Sequence, residues 1–142
     1  MYTGFQHLHS TLAYLFLAVM AVAMVYFFIA LMKNKPFTNL SRRLALAGLI
    51  IVHLQLLVGV VLYFISPMGF SNFGDEAMGD ALQRLYLLEH PLINIIGIIF
   101  ITIGYSLSKR VAEPAAKHRK LLLFYTVGFG LIVLRIPWHV WP

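Results

Sequence analysis

The stretch LALAGLIIVHLQLLVGVVLYFIS, from Leu44 to Ser66, decides the fold. It carries no charged residue, and His53 and Gln55 interrupt an otherwise apolar run. At the helical rise of ~1.5 Å per residue such a run crosses the ~30 Å hydrocarbon core of a bilayer. Hydrocarbon offers no water to the backbone, so each N–H and C=O must find its partner inside the segment or in a closed barrel. The period-two alternation of barrel strands is absent, which leaves the helix. Working outward, three further apolar stretches appear: Leu8 to Met32, Pro91 to Ser108, and Leu121 to Trp138. The first is too long for a signal-peptide core and lacks a basic start and a small-residue cleavage site, so it reads as retained.

Composition agrees. The chain is 61% hydrophobic with 11% charged residues, which excludes disorder and argues against an ordinary soluble domain. It has no cysteine. Disulfides, iron–sulfur ligation, zinc–thiolate sites and covalent haem attachment are therefore excluded. With no repeat and no linker, residues 1–142 read as one all-α domain. The predicted architecture is an integral membrane antiparallel four-helix bundle.

The formal charge of +6 is a topology signal, not a nucleic-acid footprint. Nine of the eleven basic residues lie in two loops: Lys33, Lys35, Arg42 and Arg43, then Lys109, Arg110, Lys117, Arg119 and Lys120. The middle loop, Pro67 to Glu89, holds Asp75, Glu76, Asp80 and Glu89 against Arg84 alone. Basic loops stay in the cytoplasm, which puts both termini outside, N-out and C-out. Ser41 is placed to cap the second helix, and Pro114 to break the third loop. Asp80 to Glu89 reads as an amphipathic turn or two leading into the third span, where Pro91 sits in the first turn or kinks an earlier-starting helix.

Histidines inside apolar stretches are expensive and therefore functional candidates. His7 and His9 lie at the outer end of the first span and His90 at the outer end of the third. His53 is about 15 Å below the cytoplasmic edge of the second, near the midplane. His7 and His9 are about 200° apart around a helix, so only one faces inward. The third span carries a stripe of His90, Asn94, Gly97, Ile101, Gly104 and Ser108. The second carries Gly48, Val52, Gln55, Gly59, Leu62 and Ser66, with His53 on another side. Small residues on such stripes let a neighbouring helix or a flat cofactor approach. Two imidazoles at one depth on facing helices suit a haem, and Arg135 is the basic residue at the depth of its propionates. A zinc or copper ion on His9 and His90 is an alternative, for which the membrane sequence offers few carboxylates and no thiolates. His118, in a basic loop, and His139, beyond the last helix, read as solvated. The aromatics Phe27, Phe28, Tyr63, Phe64, Phe124 and Tyr125 read mostly as lipid-facing or belt residues.

The runs HLHS (His7–Ser10), HLQLLVGVVLYFISP (His53–Pro67), EHP (Glu89–Pro91), IGYS (Ile103–Ser106) and RIPW (Arg135–Trp138) resemble a family of small bacterial four-helix membrane proteins described as cytochrome b-like. The order of features is also similar to one half of haem A synthase, where a histidine opens one helix, Gln-x-x-x-Gly lies in the next, and a histidine opens the third. The resemblance implies a bacterial inner-membrane location, and places His9, Gln55 with Gly59, and His90 at those positions, with His9 and His90 as haem ligands. It differs at Ser10, where the synthase pattern has arginine, and in supplying one bundle in place of two. Both differences bear on the synthase chemistry and not on haem binding. The expected function is electron transfer through haem b, with a quinone or a redox protein as partner. His53 is left open between quinone binding, proton relay, a second haem and a helix contact. The alternative is a cofactor-free scaffold or accessory subunit of a larger membrane complex or oligomer.

Overall fold

A computed structural model describes residues 1–141, with Asp75 described in its backbone only. The protein is all-helical, with no strand among the described residues. Four long helices, α1 (Tyr2–Met32), α2 (Asn39–Ile65), α5 (His90–Lys109) and α6 (Pro114–Leu134), pack side by side. Between α2 and α5 lie a 3-10 turn (Phe70–Asn72), two short helices α3 (Asp75–Gly79) and α4 (Ala81–Arg84), and a π-helical turn (Leu85–Glu89) that runs directly into α5. Three helical segments are long and apolar enough to cross a membrane: Tyr2–Met32, Asn39–Ile65 and the continuous Ala81–Lys109.

The fourth stretch departs from expectation. Pro114 does not break a loop; it occupies the first turn of α6, where its missing N–H is not needed. The helix therefore spends its first two turns on Lys117, His118, Arg119 and Lys120 and stops at Leu134, before Pro137. What is left apolar, Leu121–Leu134, is about 21 Å at the helical rise, less than a full hydrocarbon core.

Neighbouring helices run in opposite directions. His9 near the start of α1 meets Gln55 in the second half of α2, while Tyr26 near the end of α1 meets Ser41 in the first turn of α2. His90 at the start of α5 meets Arg135 at the end of α6. Contacts are densest between α5 and α6 and sparsest, among adjacent long helices, between α2 and α5. The α5–α6 approach depends on glycine: a Cβ on Gly97 would lie 2.7 Å from the Gly128 carbonyl oxygen and 2.8 Å from Ile132. The core holds Phe16, Met20, Phe27, Ile101, Leu121 and Tyr125. Phe27 and Tyr125 thus face inward, not to lipid, and the Tyr125 hydroxyl crosses the bundle to donate to the Ala45 carbonyl. Phe28 and Phe64 do face outward.

Local signals set the ends. Helix α1 closes in a Schellman motif, with Lys35 N–H on Ala30 O, Asn34 N–H on Leu31 O, and Asn34 taking the left-handed conformation that asparagine tolerates. Helix α2 starts before the expected Leu44. Its cap is Thr38 and not Ser41; Ser41 is the third helical residue and returns a hydrogen bond to the Thr38 N–H, closing a reciprocal box.

Candidate functional site in the histidine layer

The end of the bundle away from the basic loops gathers the start of α1, the end of α2, the start of α5 and the end of α6. His9 faces inward there and His7 faces out. His9 and His90 stand on α1 and α5, which are diagonal to one another, with ring centres 6.3 Å apart and planes 71° apart. Gln55 holds His9: its Nε2 amide donates to the His9 carbonyl at 3.0 Å and lies 3.3 Å from His9 Nε2. Gly59, one turn on, lets the imidazole lie against α2, since a Cβ there would sit 3.2 Å from His9 Cε1.

The orientation of His90 follows from its partners. Its Nδ1 lies 2.7 Å from the Arg135 carbonyl, which can only accept, so Nδ1 carries the proton and Nε2 the lone pair. Asn94, one turn along α5, donates from Nδ2 to that Nε2 at 3.1 Å.

Proline chemistry sets the height of His90. Pro91 has no N–H to return to the carbonyl of Leu87 four residues earlier. The chain widens there into the π-helical turn, and the Tyr63 hydroxyl of α2 donates to the Leu87 carbonyl at 3.0 Å. Glu89, just before His90, meets Arg84 at 3.0 Å and Arg135 at 3.6 Å. These pairs are partly exposed, worth about 0–1 kcal/mol each, and the second ties the head of α5 to the end of α6. The chain end closes the same layer: Trp141 donates from Nε1 to Ser10 at 2.7 Å and stacks on Tyr14.

Three buried polar atoms in this layer have no partner among the described residues: His9 Nδ1, Gln55 Oε1 and Asn94 Oδ1. Unpaired buried polar atoms are costly. His9 and His90 are the residues that would hold a haem iron between them, one imidazole each. No group of three or more His, Asp or Glu side chains gathers for a metal ion among the described residues. A pair of imidazoles suffices for a haem, whose macrocycle fills the other positions. Among the other expected residues, Gly97 serves the α5–α6 contact, and Arg135 reaches His90 through its backbone while its side chain turns to Glu89. His53 stands apart, its Nδ1 on the Leu49 carbonyl of its own helix at 2.8 Å.

The opposite end corrects the expectation for His118, which is fully buried and not solvated. Its Nε2 meets Ser41 Oγ at 3.2 Å, Tyr26 lies 3.0 Å from the same oxygen, and Phe27 and Phe37 flank the ring. The helix that begins at Pro114 places His118 on the stripe of Leu121, Tyr125, Gly128 and Ile132. Ser41 and His118 pair as a nucleophile and base would, but both are sealed from solvent, and His118 Nδ1 has no carboxylate partner among the described residues. The cluster ties α1, α2 and α6 together. Sequence reasoning also missed Tyr63 and Trp141 as supports of the histidine layer.

Comparison with family models, curated proteins and solved structures returns no match for this chain. The cytochrome b-like resemblance therefore rests on its motifs.

Proposed function

We propose that this is a multi-pass protein of the bacterial inner membrane, an antiparallel four-helix membrane bundle with both termini outside, that holds one b-type haem between His9 and His90 and acts in electron transfer. The observation that carries the reading is the pair of imidazoles on diagonal helices, with ring centres 6.3 Å apart. A haem held by these two histidines would supply one-electron transfer.

The chain's residues do the positioning. The Arg135 carbonyl fixes the His90 tautomer so that Nε2 is the ligating nitrogen. Gln55 orients His9, and Gly59 leaves room on the α2 side. Arg84 and Arg135 share Glu89, which leaves one net positive charge at the rim for a propionate. The basic loops at the other end face the cytoplasm. The redox partner is a quinone in the bilayer or a protein at the outer face.

One observation favours the scaffold reading instead: Gln55 and Asn94 already bond the two histidines. Expression with ample haem separates the two. On the haem reading, His9→Ala and His90→Ala each lose bound haem while His7→Ala and His139→Ala keep it. A colourless wild-type protein, or full haem retention in His90→Ala, would overturn the ligand assignment.

A further inference from the structure

Between α2 and α5, where adjacent helices touch least, a groove of about 310 Å³ opens sideways on the apolar face of the bundle. Its lining is His53, Leu56, Ile95, Ile99, Thr102 and Ile103, apart from Ile98 at the back. All but two of these side chains are hydrocarbon. The Thr102 hydroxyl is already spent, donating to the Ile98 carbonyl at 2.8 Å. The imidazole of His53 is therefore the polar group the groove offers a ligand.

Its hydrogen-bonding character is fixed. Nδ1 lies 2.8 Å from the Leu49 carbonyl, an acceptor only, so the proton of the neutral ring sits on Nδ1. Nε2 then presents a lone pair and no proton, and the hydrogen bond the ring makes among the described residues is that of Nδ1. The groove needs a donor. Depth narrows the choice. His53 lies mid-helix, about 20 Å from either end of α2 at the helical rise, beyond the reach of phospholipid headgroups and far from bulk water.

We infer that this groove binds a lipid-soluble hydroquinone, whose ring lies on the isoleucine wall of α5 and whose hydroxyl donates to His53 Nε2. Three features select that class. The site opens to the bilayer interior, so the ligand must dissolve there. It asks for a hydroxyl donor, which the oxidised quinone lacks. Its walls are apolar, with room for one substituted ring. The inference concerns binding alone and does not rest on the haem reading, because no residue of the histidine layer lines the groove.

The test uses the full chain in nanodiscs and three probes of one skeleton: a short-tailed benzoquinol, the corresponding quinone and the quinol dimethyl ether. Binding is read by titration calorimetry under anaerobic conditions, corrected for partition into empty discs. The quinol binds roughly five- to tenfold more tightly than the quinone or the ether, the worth of one hydrogen bond. His53→Leu removes that preference and leaves all three probes equal. Thr102→Val leaves it unchanged. Ile99→Phe, a half-exposed wall residue away from the imidazole, fills the groove and abolishes saturable binding of all three. Equal or tighter binding of the quinone by the wild type overturns the inference, as does a quinol preference that survives His53→Leu. So does an absence of saturable binding above that of empty discs. Haem content is measured on the same samples and does not change in any of these variants.

Discussion

Gly128→Ala and Gly130→Ala, two residues apart on one helix, have opposite effects. Both substitutions add one methyl group to α6, and both gain the alanine helix preference of about 0.5–1 kcal/mol. At Gly130 the new Cβ meets nothing within 4 Å, so that gain stands alone. At Gly128 the Cβ would lie 2.7 Å from Ile101 Cγ1 and closer still to the backbone oxygen of Gly97. A backbone oxygen cannot rotate away, so α5 and α6 must separate along the tightest contact in the bundle. Overpacking of this kind costs about 1–3 kcal/mol, which leaves the two variants differing by about that amount; 1.4 kcal/mol is about tenfold in the unfolding equilibrium. The assay is reversible unfolding in mixed micelles at increasing SDS, followed by helical circular dichroism. The wild type falls between the two variants. Equal midpoints for Gly128→Ala and Gly130→Ala would refute the account of how α5 and α6 meet, and with it the placement of His90 beside Arg135.

Other outcomes follow from the supports of the site. Tyr63→Phe leaves the Leu87 carbonyl without its donor and costs about 1–3 kcal/mol, read in the same SDS titration; an unchanged midpoint means that the carbonyl finds another partner. Gly59→Leu drives the His9 imidazole off α2, so haem content falls while helical dichroism is kept; unaltered haem content would show that His9 is held elsewhere. Burial pushes His118 below its ordinary value of 6.5. Its charged form is therefore favoured by unfolding, and the stability present above pH 6.5 is lost as pH falls below that value. His118→Gln flattens this part of the pH–stability curve between pH 7 and 5, and a curve of unchanged slope would contradict the burial.

The membrane-length helices were legible because hydropathy and length act over whole segments. Leu44 to Ser66 needs no tertiary context to be read as a span, and α2 holds it. The ends were less legible. Ser41 and Thr38 are both capping residues in isolation. Pro114 was read as a breaker because proline both breaks helices and starts them, and the basic residues after it suggested a loop. The same error hid His118. Its spacing to Leu121, Tyr125, Gly128 and Ile132 is an inward helical stripe, and extending the helix back to Pro114 would have found it. Of the histidine layer, the depth of His9 and His90 could be read from segment ends, and the Gln55–Gly59 spacing from one face of α2. The ties made by Glu89, Tyr63 and Trp141 could not, because they join elements far apart in the chain. Pro91 did carry a signal for one of them: a proline at this position frees the carbonyl four residues earlier, and some donor must meet it.

The most direct test of the central claim is the reduced-minus-oxidised visible spectrum of the gently purified wild-type protein, with a pyridine haemochrome to type and count the haem. The account predicts a sharp b-type alpha band and about one haem per chain, as one pair of axial histidines requires. A protein that stays colourless after expression with ample haem would contradict it.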